Sequence, residues 1–425
     1  MNNLKFEVEL LHNSIMLYDN IFSLENLSTE VLLIIFSYLS ITELKNLRKV
    51  CSRFNKIISH HWDLILFNRR EKYLVTNQCS QYIQERSQRF LTPFEKHRIS
   101  NNWKVGRYKE SKVFLSKEFI PHFHLEQNSI WFGKDDSIKC YQRSKKKIFS
   151  NKLKHDFCGF NYKDVCKFVV KNDKVCTANG HVVKLFSLEK GECTSNISFN
   201  DIRLTSIDME MNSVAVGSKE GVVQLLNVSD ELDLVPCKIL KYEDLVWCLA
   251  FNKDKLSIGT AANICRTCII VTDTESGQTL HEFVGDNNGA GILQMKWDNP
   301  DVLWSGGYDC YLRRWDLRIG QCVQKFLDPW SSKINCFDYD FVNTLITGCD
   351  NSRATLWDIR KDRYVQVYFM ESARLSWTTS PIHSIAFDAE HLFAATDLYL
   401  NMLDFSVMNG GFQDYSKIFF KQLVI

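Results

Sequence analysis

Long apolar runs are missing from this chain. The longest strongly apolar run, Val31–Phe36, falls far short of the roughly 20 residues that a bilayer-crossing helix needs. The N-terminus also lacks the basic-then-apolar order of a secretory leader, because MNNLKFEVELL carries the acidic residues Glu7 and Glu9. Without an export signal, the 15 cysteines read as reduced thiols, mostly buried as small apolar side chains, and their odd number and scattered spacing supply no disulfide framework. A charge bias of one sign is lacking too. The 52 Lys+Arg against 50 Asp+Glu leave +2, divided as +6 over residues 1–118 and −4 over the remainder. So mild an asymmetry does not announce nucleic acid as a partner. Membrane-spanning and secreted classes are set aside, and the expected location is cytoplasmic and/or nuclear.

Catalytic signatures are equally scarce. There is no G-x-S-x-G, Walker loop, kinase motif set or H-E-x-x-H. Cys265-Arg-Thr-Cys268 is a lone C-x-x-C, and zinc would need two further ligands beside it. It reads as a pair of loop thiols. Arg143 with Lys145–Lys147 reads as a solvated turn rather than a nuclear signal. No enzyme activity, metal or cofactor is implied.

What is present has two grains. At 425 residues, 45% hydrophobic and 24% charged, the chain is long enough for two or three domains, or for one large repeat domain and a smaller module. From about residue 113 onward, short apolar runs recur with a period near 40. A six-residue motif, apolar-x-x-apolar-x-apolar, opens each unit: IPHFHL at Ile120, VCKFVV at Val165, LTSIDM at Leu204, VWCLAF at Val246, ILQMKW at Ile292, INCFDY at Ile334 and IHSIAF at Ile382. A second apolar run ending in small residues follows (SVAVGS, VLWSGG and TLITGC are three), then a tight turn and a third run. This is an antiparallel meander, in which small residues let backbones converge. One such sheet cannot bury both faces, so the units must stack on one another.

Tyr311–Cys322 (YLRRWDLRIGQC) and Ala354–Arg360 (ATLWDIR) resemble the third strand and exit turn of WD repeats. The resemblance covers about 310 residues and implies a seven-bladed β-propeller. At the end of the third run of each unit, Trp-Asp stands only at Trp315–Asp316 and Trp357–Asp358. The Gly-His pair usual before the first strand is missing, so an incomplete His–Asp network is expected. Ring closure is expected from Lys417–Ile425 as a last strand paired with Lys112–Ser116.

Residues 22–67 are helical in pattern instead. Ser28 or Thr29 can cap a first helix, with Glu30 suited to its dipole. Val31, Ile34, Ile35, Tyr38 and Leu39 recur as an apolar stripe, while Leu44, Leu47, Val50, Cys51 and Phe54 form the stripe of a second helix. A module this small needs a neighbour to cover its apolar surface. The stretch resembles the F-box, with Leu27, Ser28 (Pro in the family), Glu30, Val31, Ile35, Phe36, Leu39, Leu44, Leu47, Val50, Cys51, Arg53 and Phe54 on its consensus positions. The fold class expected is therefore multidomain: a small all-α F-box over 22–67, a helical linker over 68–112 acting as a stiff spacer, and an all-β seven-bladed WD-repeat propeller over 113–425.

F-box followed by WD repeats is similar to the substrate receptors of SCF ubiquitin ligases. The resemblance implies a non-catalytic protein whose F-box docks the SCF adaptor subunit, and through it cullin and RING subunits. Leu27, Ser28, Val31, Ile34, Ile35 and Leu39 would supply that contact. The propeller would hold a target protein on the face carrying the turn before each first strand and the turn between second and third strands. There the sequence places Arg203, Lys219, Arg266, Lys333 and Arg353, with Trp247, Tyr308 and His383 close by. Basic and aromatic residues around a pore suit an acidic or phosphorylated segment, arginine best because of its planar fork. The alternative reading is a WD-repeat scaffold without a ligase role.

Overall fold

A computed structural model describes residues 24–39, 41–62, 65, 73–78, 80–115, 121–134, 137–144, 147–158, 167–286, 288–370, 380–409, 411–412 and 414. They form two compact units. One ends at Tyr73 and includes Thr92–Phe94, and the other comprises Leu74–Leu91 and the chain from Glu95 onward.

In the first unit, helix α1 spans Thr29–Ser37, α2 spans Ile41–Leu47 and α3 spans Ser52–His60. Ser28 caps α1 by accepting from the Val31 N–H at 3.4 Å. The single second helix expected from sequence is two helices, because the chain breaks at Cys51, whose Sγ accepts from Phe54 N and caps α3. The core is Leu32 and Phe36 from α1, Leu44 from α2, and Phe54, Ile57, Ile58 and Trp62. Phe36 and Phe54 meet edge to face at 5.4 Å, a preferred aromatic geometry. The inward pair Leu32/Phe36 is one step away from the stripe expected to be apolar, so Val31, Ile34 and Tyr38 are left outside. Val50, at the break, is outside as well.

In the second unit the described strands fall into seven antiparallel sheets. Blades 1 to 6 cover residues 123–157, 167–198, 204–241, 246–284, 292–327 and 334–369, each with four strands in sequential order. Blade 7 takes three strands from 382–404 and a fourth from Arg107–Phe114, which pairs with Tyr399–Asp404 in the register Lys109↔Asp404 to Phe114↔Tyr399 and carries the short strand Gly411–Phe412 on its outer side. The ring is thus closed by a strand from before blade 1 that contains Lys112, with Tyr399–Asp404 as its described partner in place of the expected chain end. The other half of that expectation, Lys417–Ile425, lies outside the described residues.

Small residues do sit where backbones converge. A Cβ on Gly217 would come within 2.4 Å of Ser206 Oγ, and one on Gly307 within 2.1 Å of the Gly291 carbonyl. The indoles of Trp315 and Trp357 donate to Ser305 Oγ at 2.8 Å and Thr347 Oγ1 at 3.1 Å. In the loop ahead of blade 6 the buried acid Asp328 is matched by Arg353 rather than by a histidine.

The segment expected as a spacer is largely built into this unit. Helix α4 spans Gln81–Gln84 and α5 spans Pro93–Val105. Trp103 is fully buried and stacks on Phe405 at 3.7 Å, its carbonyl accepting from Tyr368 Oη at 2.6 Å. Asn102 Nδ2 donates to the carbonyls of Phe405 and Val407, and the Val75 N–H donates to Thr344 Oγ1 at 2.8 Å. These contacts tie the segment to blades 6 and 7 before the chain enters the strand at Arg107.

Candidate functional site

Two surfaces qualify, one on each unit. The first is the outer face of α1. Because Leu32 and Phe36 turn inward, residues at 31, 34 and 38, three and four apart, come to lie together outside. Ile34 is 55% exposed and Tyr38 85%. Leu27, Ile35 and Leu39 are half-buried against the core, and Ser28 spends its hydroxyl on the cap. Arg53 holds the entry to α1 in place, donating to the carbonyls of Glu25 and, at 2.6 Å, Leu27. Sequence reasoning put Arg53 on the consensus without giving it this role, and its signal is a lone cation in the run Val50-Cys51-Ser52-Arg53-Phe54.

The second surface is the propeller face bearing the turns ahead of the first strands. In blades 3 to 7 the first strand bulges at the second motif residue, the register skipping Thr205, Trp247, Leu293, Asn335 and His383. A bulge re-aims the extra side chain. This is how Trp247 and His383 become half-exposed in strands that are otherwise buried. Arg203, Lys219 and Arg266 are exposed in their turns, and Lys219 N donates to the Arg203 carbonyl at 3.0 Å. Tyr308 is exposed and lies 5.3 Å from Lys333 Nζ, a cation–π pair.

The face is mixed in sign. Lys333 is 3.3 Å from Asp350, His383 Nε2 is 2.6 Å from Asp397 Oδ1, and the Glu220 carboxylate accepts the Arg203 N–H. These acids were missed because no motif marks a turn carboxylate. Arg353 departs from expectation altogether. It is buried, 3.5 Å from buried Asp328, bonded to Ser332 Oγ at 2.5 Å and laid over the Trp330 ring at 4.2 Å. Buried, with Nη2 spent on Ser332 and Asp328, Arg353 supports the loop and is not presented on the surface. Arg143 is likewise no surface cation, because it pairs with Asp388 between blades 1 and 7.

Cys265 is half-buried and Cys268 buried, the latter's thiol pushed up to about 12 by desolvation. Among the described residues no group of three His, Cys, Asp or Glu is placed to hold a metal ion. No described helix is long and apolar enough to cross a membrane.

Comparison with known proteins gives a consistent picture. Residues 25–67 match the F-box-like family. The chain is 26% identical over 390 residues to F-box/WD repeat-containing protein 4 of Homo sapiens, covering 90% of this chain and 93% of that protein. The Mus musculus counterpart is 27% identical over 323 residues, covering 73% and 77%. Among solved structures, Chaetomium thermophilum Raptor superposes with a TM-score of 0.57 at 14% identity, over 72% of this chain and 30% of that one, a likeness of fold alone. The chain thus has a helical F-box-like module leading into seven antiparallel sheets, and along most of its length it is similar to F-box/WD-repeat proteins.

Proposed function

We propose that this protein is the substrate-recognition subunit of an SCF-type E3 ubiquitin ligase. Its F-box docks the SCF adaptor subunit, and through it cullin and RING subunits, and its propeller binds the target protein for ubiquitination. The protein itself is non-catalytic. It works by proximity, raising the effective concentration of a target lysine near a conjugating enzyme held elsewhere in the complex. The observation that carries this reading is the apolar outer face of α1, where Val31, Ile34 and Tyr38 stand exposed beside a core already filled by Leu32 and Phe36. An apolar patch on so small a unit is a liability unless a partner covers it. On the propeller, the residues offered to a target are Arg203, Trp247, Arg266, Tyr308 and Lys333.

The docking test uses Val31→Asp with Ile34→Asp, both at exposed positions, and not Ile35, which packs against the core. Surface changes of this kind cost about 0.5 kcal/mol or less of stability. Desolvating a carboxylate in an apolar interface costs far more, so co-purification with the adaptor should fall by more than about tenfold. Undiminished co-purification would reject the docking reading and leave the scaffold alternative.

A further inference from the structure

The propeller's central channel carries positive charge beyond the residues named for the two docking surfaces. The first strands of the blades line this channel. At the third residue of the six-residue motif stand His122 and Lys167. At the fifth stand His124, Asp208, Lys296 and Asp338, and Lys171 ends the first strand of blade 2. Tyr82 of α4 and Arg86, just past it, reach the same ring. Lys296 Nζ lies 2.5 Å from Tyr82 Oη and 2.7 Å from Asp338 Oδ1, and Arg86 Nη1 lies 2.8 Å from Asp338 Oδ2.

Four cations thus face two carboxylates, and both carboxylates are already engaged by the backbone. Asp338 accepts from the N–H groups of Tyr339 and Phe387, and Asp208 from those of Met209 and Phe251. Lys171 Nζ stays 3.7 Å from Asp208, and Lys167 Nζ meets the Trp247 carbonyl at 3.4 Å, both long contacts. Between the cations sit two histidines. Burial and the neighbouring positive charges push His122 down to about 4 and His124 down to about 3, and burial takes Lys296 to about 8. His122, His124, Lys167 and Lys296 are each partly exposed, and the Lys171 side chain is 43% exposed, so solvent in the channel reaches them.

We propose that this ring is a binding site for a small free anion of the phosphate class, with Lys167, Lys171 and Lys296 as its charge partners and His122 and His124 as N–H donors. Like charges gathered in a poorly solvated space repel strongly, and a dianion among them turns each repulsion into attraction. Phosphate also offers several acceptor oxygens to a ring whose free groups are all donors or able to become donors. The site goes beyond the proposed ligase role and does not depend on it.

The test uses the full chain in chloride buffer at constant ionic strength, with inorganic phosphate and pyrophosphate added at concentrations too low for general salting effects. Both should raise the melting temperature saturably. The titration midpoints of His122 and His124, followed by NMR of ring-labelled histidine, should move upward by at least about one pH unit, because the added negative charge favours the imidazolium. The double variant Lys167→Gln/Lys171→Gln should melt no lower than the parent in chloride, since it removes repulsion, yet bind phosphate at least about tenfold more weakly. If that variant does not fold, Lys171→Gln alone carries the comparison at its more exposed position. A linear rise in melting temperature shared equally by parent and variant, or unmoved histidine midpoints, would overturn the proposal.

Discussion

At the scale of single residues, the structure separates cations that the sequence could only group. Arg203, Arg266 and Arg353 all lie in the turns or strand starts of one propeller face, and periodicity gives no means of telling them apart. The difference is made by Asp328, which sits in the loop ahead of blade 6, fully buried, accepting from Trp330 N and Ser332 N. A buried acid needs a cation, and Arg353 is the one in reach. Removing one partner of such a pair leaves an uncompensated charge, at a cost of about 3–5 kcal/mol. The backbone donors around Asp328 hold the loss near the lower end. Arg353→Ala is therefore expected to lower the urea midpoint of the propeller with or without a bound target, while Arg203→Ala and Arg266→Ala shift it by about 0.5 kcal/mol or less. Equal, negligible shifts in all three would return Arg353 to the ligand face. The same logic sorts the α1 stripe. Sequence marked Val31, Ile34, Ile35, Tyr38 and Leu39 as one apolar face, whereas the three-dimensional core selects Leu32 and Phe36 and exposes part of that stripe.

At the scale of elements, the inner three strands of each blade were legible and the outer one was not. Inner strands are covered on both sides by neighbouring blades, so they read as apolar runs such as Val302–Gly307, buried at every position. Outer strands alternate and are half wet. Glu192–Ser198 has no fully buried residue, and its composition, ECTSNIS, resembles a loop. Residues 68–112 misled for a related reason. Their mixed polarity suited a solvated spacer, yet the polar groups of 74–105 are spent on the propeller: Gln366 Nε2 donates to the Lys104 carbonyl at 3.0 Å, Asn102 bonds to Phe405 and Val407, and Arg89 is paired with Glu390 at 2.7 Å. Trp103 anchors the element, so Trp103→Ala should cost about 3–5 kcal/mol. Hydrogen exchange should show faster amides in Arg107–Phe114, because that strand follows the anchor directly. A free spacer would tolerate the change with no loss of protection in the strand.

At the scale of the whole propeller, the question is what keeps blade 7 joined to blade 1. Backbone pairing from Lys109 to Phe114 supplies one joint, extended by Leu115 N donating to the Leu398 carbonyl at 2.6 Å. An apolar layer of Phe123, Ile130 and Phe132 against Phe393 and Met402 supplies a second. The third is ionic: Arg143 of blade 1 meets Asp388 of blade 7, whose carboxylate also meets His391 Nδ1 at 3.1 Å and accepts from the His391 and Glu390 N–H groups, each at 2.7 Å. Asp404 stands 3.8 Å from the far side of the ring. Although burial opposes it, the two carboxylates raise the His391 imidazolium above its ordinary range, while Arg143 and His391 hold the Asp388 carboxyl well below its own. The signs then follow from linkage. A histidine whose folded value is raised contributes stability that is complete below about 6.5 and is lost as pH climbs through the raised value. An aspartate whose folded value is depressed contributes stability present above about 3.9 and lost as pH falls towards the folded value. Between those limits the joint is at its strongest, and above them it loses the imidazolium first. His391→Gln keeps a hydrogen-bonding side chain without the charge, so the variant should be less stable than the parent at pH 6, by about 1–3 kcal/mol as for a buried charged hydrogen bond. The gap should narrow as pH rises past the parent's His391 midpoint. Melting curves of both proteins at pH 6 and pH 9 decide the matter, and a gap that stays constant would mean that His391 joins the blades as a neutral ring.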